Sequence, residues 1–269
     1  MFIRAVSVLT AVSLALPVRA APADDLADAL GVPEMVQIMR IEGLDYGAEL
    51  GRDLLPGGGG PGWQDIVAEI YDTDAMEATV KAGFAEALSG TDITPLLAFF
   101  EDGAGARIVE LEIAAREAMV EDEVEQAARD TYLALEGRDD ARLAALETFV
   151  DQNDLIEANV VGALNASFMF YKGLAEGGGL EMTEAEMLSD VWTQEDDTRA
   201  DTREWLFAYL LLAYGPLDDD ALAEYSELSD TPAGQAMNRA LFQGFNDMYD
   251  EISYALGLAA AQQMQGEDL

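Results

Sequence analysis

The sequence predicts an all-α protein built from two similar multi-helix modules arising from a tandem repeat, and three observations predict it. Apolar residues recur every three or four positions along most of the chain, the spacing of one buried helical face. No segment alternates apolar and polar residues for long enough to read as a strand. FFEDGAGARI, residues 99–108, is echoed by LSDTPAGQAM, residues 228–237, at an offset of 129.

The echo extends outward from those two phrases. At the same offset Ala104, Ile108, Leu111, Ala115 and Met119 fall on Ala233, Met237, Ala240, Gly244 and Met248. Upstream, Ile93, Leu96 and Phe99 fall on Leu222, Tyr225 and Leu228, Trp63 on Trp192, and Met76 on Trp205. Before the tryptophans the offset is 120: Leu30, Glu34, Met35 and Val36 meet Val150, Asp154, Leu155 and Ile156, and the glycine runs at 57–60 and 177–179 coincide. The expected organisation is a signal peptide over 1–20, a first helical module over 21–137 and a second over 138–269.

The chain opens MFIRAVSVLTAVSLALPVRA, with Arg4, an apolar stretch from Ala5 to Leu16, and small residues at the end. That layout predicts an export signal cut after Ala20, with Ala21 as the alternative. Its apolar stretch is shorter than the roughly 20 residues a membrane span needs. WLFAYLLLAY, residues 205–214, is also too short to span and reads as a buried helix. With no Cys in the chain, no lipid anchor can form at the cut. The expected location is the periplasm of a Gram-negative bacterium.

Helices are expected from Pro33 to Leu55, from Asp74 or Thr73 to about Leu88, and then over Asp140–Ala175, Arg199–Tyr214, Asp218–Leu228 and Thr231–Met264. Gly43, Gly47 and Gly51 weaken the first of them, and Ser89-Gly90 ends the second. At the repeated corner, Asp102 and Thr231 are suited to cap a helix by accepting hydrogen bonds from its free amides. Gly103 and Pro232 follow, and proline is favoured at a first helical position. Gly105 and Gly234 then lie in the first turn, where glycine costs up to about 1 kcal/mol relative to alanine. Close approach of the preceding helix, or of Phe99, is the expected compensation. These six residues are assigned a structural role, since an anion on the helix start is disfavoured by the charge of the chain.

Acidic residues number 53 against 14 Lys and Arg, and loss of Arg4 and Arg19 with the signal moves the net charge from −39 to −41. Such a surface repels nucleic acid and anionic lipid, and neither is expected as a partner. The chain contains no His and no Cys, which removes the commonest base, the thiol nucleophile and the usual triads. No cofactor motif is present, and no catalytic, cofactor-binding or metal-ligating residue can be nominated.

DITPLLAFFEDGAGARI, residues 92–108, and ADDLADALGVPEMVQIM, residues 23–39, resemble the bacterial domain of unknown function 2059; LAEYSELSDTPAGQAM, residues 222–237, does so more faintly. Members favour Pro-Gly or Pro-Ala-Gly at the corner, where the first copy here has Gly-Ala-Gly-Ala. The resemblance implies an all-helical fold and an envelope location, and brings no activity or catalytic residue.

Acidic clusters at 72–77, 195–201 and 217–224 lack the spacing of a calcium loop and read as helix starts. Trp63 and Trp192, paired by the repeat, read as duplicated core residues. Lys172, beside the aromatics of FMFYKG at 168–173, reads as reaching solvent. The functional expectation is a non-enzymatic envelope protein that binds another envelope protein or itself. A carboxylate-dependent hydrolase and a low-affinity calcium binder are the alternatives. For the hydrolase, the mark would be a pair of acids in a cleft with one raised pKa.

Overall fold

The structure, a computed structural model, describes residues 22–266, so the expected export signal lies outside the described residues. Among the described residues the secondary structure is helical and no strand occurs. In chain order the helices are α1 (Pro22–Ala29), α2 (Val32–Leu54), α3 (Gly60–Ile70), α4 (Thr73–Ala87), α5 (Thr94–Phe100), α6 (Gly103–Ala118), α7 (Asp122–Leu135), α8 (Ala141–Gln152), α9 (Leu155–Glu176), α10 (Glu184–Thr193), α11 (Glu195–Tyr214), α12 (Asp219–Ser229) and α13 (Pro232–Gly266). No described helix is long and apolar enough to cross a membrane.

The glycines that weaken α2 as an isolated helix make it a docking surface. Cβ atoms on Gly43, Gly47 and Gly51 would lie 2.1, 2.4 and 2.6 Å from Tyr71, Val67 and Trp63, so α3 returns antiparallel along a bare strip of α2. Trp63 Nε1 donates to the Gly47 carbonyl at 2.7 Å across that seam. Gly57 to Gly60 make the reversal possible: all four have φ between 62° and 76°, a region that side-chain-bearing residues rarely enter.

Long α13 forms the spine. Gly162 of α9 lies beside Asn246 and Gly177 beside Ala261, so α9 and α13 run parallel in register. On its other side α13 crosses α4 antiparallel, where a Cβ on Gly244 would stand 2.4 Å from the Val80 carbonyl. Helix α11 lies antiparallel to α6 and beside α7, where Tyr132 stacks on Phe207 with centroids 5.2 Å apart.

Consequently the two sequence halves are not separately packed bodies. The core cluster around Phe84, Leu96 and Trp63 includes Met237, Met248 and Leu256 from α13, and the cluster around Ile108 and Tyr132 includes Phe207 and Tyr214 from α11. The sequence boundary near residue 137 therefore falls between helices that share their cores. Burial alone supports this arrangement: each large side chain so enclosed contributes about 1.5–3 kcal/mol.

Several sequence expectations need correction. Asp140–Ala175 is two helices, broken at Asn153-Asp154, where Asp154 has φ 54°. The buried Asn153 amide donates to the Phe149 carbonyl at 2.9 Å and to Ser229 Oγ at 3.1 Å, satisfying the break internally. The cap of α4 is Asp72, whose carboxylate accepts from Ala75 N at 2.9 Å. Trp192 is not a core residue: Trp63 is 1% exposed and Trp192 60%. Sequence offset alone could not reveal this, because Trp192 sits on the outer side of α10.

At the two glycine corners, Thr231 Oγ1 accepts from Gly234 N at 3.1 Å, whereas the Asp102 side chain makes no capping bond. Gly103 turns into α6 with φ 70°, and Pro232 begins α13. At both corners the preceding helix passes directly over the glycine. A Cβ on Gly105 would lie 2.1 Å from the Phe99 carbonyl, and one on Gly234 would lie 2.1 Å from the Leu228 carbonyl.

Candidate functional site

Where α2, α6, α9, α11 and α13 converge they leave a cavity of about 840 Å³. That volume falls within the range of pockets holding drug-sized molecules. Glycine and small residues on the α9 face, Gly162, Ala163, Ala166 and Ser167, keep this space open, and aromatics fill its perimeter. Trp205, Tyr209 and Tyr214 come from α11, Tyr225 from α12, and Phe242, Phe245 and Tyr249 from α13. Tyr46, Asn159, Ala163 and Gln194 are exposed residues of the lining and mark the side that meets solvent.

Three charged groups line this otherwise apolar and aromatic space: Glu42, Glu112 and Arg116. Two of them neutralise each other. Arg116 Nε and Nη2 donate to the two Glu42 oxygens at 2.8 and 2.6 Å, a forked pair. The Arg116 guanidinium also stands 4.7 Å from the centroid of Trp205, which stacks on Tyr209 at 5.3 Å. Burial works against the Arg116 charge, but hydrogen bonding to Glu42 outweighs it, and the Arg116 pKa rises.

Glu112 has no cationic partner among its hydrogen bonds or ion pairs. Tyr214 donates its hydroxyl hydrogen to Glu112 Oε1, and Tyr209 donates to the Glu112 backbone carbonyl at 3.1 Å. Desolvation by burial lifts the Glu112 pKa from 4.5 to about 7, although the Tyr214 hydrogen bond pulls the other way. The Glu112 charge in turn helps burial raise the pKa values of Tyr209, Tyr214 and Tyr225 well above the ordinary value. At neutral pH the site therefore holds one carboxylate poised between its two protonation states, ringed by phenols that stay protonated.

The residues singled out from sequence lie elsewhere. Asp102, Gly103, Gly105, Thr231, Pro232 and Gly234 form helix corners and are absent from the cavity lining. Asp72 and Asp218 cap α4 and α12; Glu195 pairs with Arg199, Asp201 with Arg129, and Asp219 with Arg142. Among the described residues, no group of three acidic side chains converges as a cation site. Lys172 is exposed, while its neighbours Phe170 and Tyr171 line the cavity. A smaller hollow between α4 and α13 carries Glu86, Asp247, Asp250 and Glu251; burial and the neighbouring Asp247 raise the Asp250 pKa.

Glu42, Glu112 and Arg116 were not found from sequence. One signal was present: Glu112 adjoins Leu111 within the apolar stripe Ile108, Leu111, Ala115 and Met119, so an acid stands at the edge of a buried face. No protein-family model matches the sequence, and no characterised protein or solved structure matches it either.

Proposed function

We propose that this chain is a non-enzymatic binding protein of the bacterial envelope that encloses a small, largely apolar ligand. The observation that carries the reading is the cavity of about 840 Å³, lined by aromatics, where α2, α6, α9, α11 and α13 converge with side chains of α8 and α12. An apolar hollow of this size loses the dispersion contacts that close packing provides, and an occupant restores them. The export signal read in residues 1–20, and the resemblance to domain of unknown function 2059, support the envelope location. The corresponding order of α1–α6 and α8–α13, with tightly packed glycines in the first turns of α6 and α13, supports descent from a duplicated helical unit. On that reading the cavity arose where the two copies share their cores.

The test is binding of N-phenyl-1-naphthylamine, a neutral apolar dye that brightens on leaving water. The parent should bind it at one site, and Ala166→Phe, which fills the space, should weaken binding at least about tenfold while the protein stays folded. Equal binding by both proteins would remove the cavity reading.

The hydrolase alternative gains one observation, since Glu112 and Glu42 line the same cavity and Glu112 has a raised pKa. Glu42, however, is held by both of its oxygens on Arg116, which leaves it poorly placed as a second acid. Turnover of a peptide or glycan substrate that disappears in Glu42→Gln and in Glu112→Gln would favour hydrolysis over binding.

A further inference from the structure

Resting on the ligand-binding reading above, we infer that the cavity is selective for an organic monocation, an amine with an apolar or aromatic body, whose ammonium group is held by the Glu112 carboxylate among the surrounding aromatic rings. Charge balance is the first argument. Of the three charged groups in the lining, Glu42 and Arg116 cancel through a forked ion pair, so the one charge without an opposite is that of Glu112. A cation is the occupant that neutralises it. An anionic ligand would put a second negative charge into a space where the only guanidinium is already engaged.

The aromatic wall is the second argument. Tyr209 and Tyr214 hydrogen-bond to Glu112 and buried Tyr225 lies close enough to feel its charge, and aromatic rings attract cations, most strongly where water is excluded; the Trp205 ring already holds Arg116. The hydroxyls do not compete for the ammonium site as charged groups, because burial keeps Tyr209, Tyr214 and Tyr225 protonated. Outside the cavity, a chain with 53 acidic residues and 14 basic ones concentrates cations near its surface and speeds their arrival.

The arrangement makes binding pH-dependent. The groups facing Glu112 are Tyr209 and Tyr214 from α11 and Tyr225 from α12; Arg116, on its own helix, faces Glu42 of α2 and Tyr249 of α13. Arg116 and the four tyrosines have raised pKa values and keep their protons at neutrality, so the titrating group beside them is Glu112. A bound ammonium favours the ionised carboxylate, so uptake of the amine expels a proton. Affinity falls up to about tenfold for each pH unit below the Glu112 pKa, and the amine is released on acidification.

Calorimetry with 4-phenylbutylamine, 4-phenylbutanol and 4-phenylbutyrate on the folded chain tests this. At pH 8 the amine should bind at least about tenfold more tightly than the alcohol, and the acid should not bind. The preference should vanish at pH 5.5 and in Glu112→Gln. In the parent, titrations at pH 6.5 in two buffers of different ionisation enthalpy should report proton release with the amine and none with the alcohol. That measurement does not depend on the variant folding. Equal amine and alcohol affinities at pH 8 would overturn the amine inference and leave the cavity reading intact. An amine preference retained in folded Glu112→Gln would assign it to the surface charge and also overturn the inference. Failure of all three compounds and of the neutral dye would remove both readings.

Discussion

The Tyr214 hydroxyl of α11 donates a hydrogen bond to the Glu112 carboxylate of α6, joining two helices that lie 102 residues apart at this contact. Glu112 has no cationic partner there, and burial desolvates its carboxylate beside the buried Tyr214 ring. The carboxylate is therefore retained in a place where its charged form is disfavoured, and this has measurable consequences for stability.

Glu112 should make the protein less stable as pH rises. Between pH 4.5 and about 7 the folded state keeps a proton that the unfolded chain has already lost, so stability falls through that window and the loss persists above it. Glu112→Gln removes the titration. Urea unfolding should show the variant and parent alike near pH 4.5, with the variant more stable by up to about 3 kcal/mol at pH 8. A difference that does not change with pH would mean that Glu112 is not the group responsible.

Tyr214→Phe leaves the carboxylate without its hydroxyl donor. The expected loss is about 1–3 kcal/mol at pH 8, where the charged acid needs the bond most, and less at pH 5. NMR of the labelled Glu112 side chain should show its pKa moving further up, since the removed bond is the one pulling it down. An unchanged or lower value would contradict the assigned geometry.

The forked pair between Arg116 and Glu42 should be costly to halve. Removing one partner, as in Glu42→Gln, leaves a partly buried guanidinium without its counter-charge, and a loss of about 3 kcal/mol is expected by denaturant unfolding. The double change Glu42→Gln and Arg116→Met should recover part of that loss. Strictly additive losses would show that the two side chains do not interact in solution.

Gly105→Ala and Gly234→Ala should each destabilise by at least about 2 kcal/mol, because a methyl group would collide with the Phe99 or Leu228 carbonyl at 2.1 Å. Gly62→Ala is the matched control: nothing lies within 4 Å of its added Cβ, and a gain of up to about 1 kcal/mol is expected in α3. Thermal unfolding of the three variants is sufficient, and a neutral result at either corner would contradict the close crossing described above.

By itself, the sequence determined the helical class and the limits of several helices. Helical spacing, proline and glycine punctuation and capping residues act within one or two turns, so α2, α4, α12 and α13 could be read within a few residues of where they lie. The break at Asp154 escaped because its left-handed turn is supported by Ser229, 76 residues from the Asn153 amide that it accepts from. Trp63 and Trp192 match at a sequence offset of 129 but do not share an environment, since burial depends on which neighbour covers each helix.

Only the tertiary structure decided the site. Glu42 and Arg116 look like two of many charges on amphipathic helices, and Glu112 differs locally only in adjoining the apolar stripe of α6. Packing of α11 against α6 aligns Tyr214 with Glu112, and packing of α2 nearby gives Arg116 its partner. The pKa of Glu112 follows from that enclosure, because desolvation is a property of everything around a group and not of its neighbours in the chain.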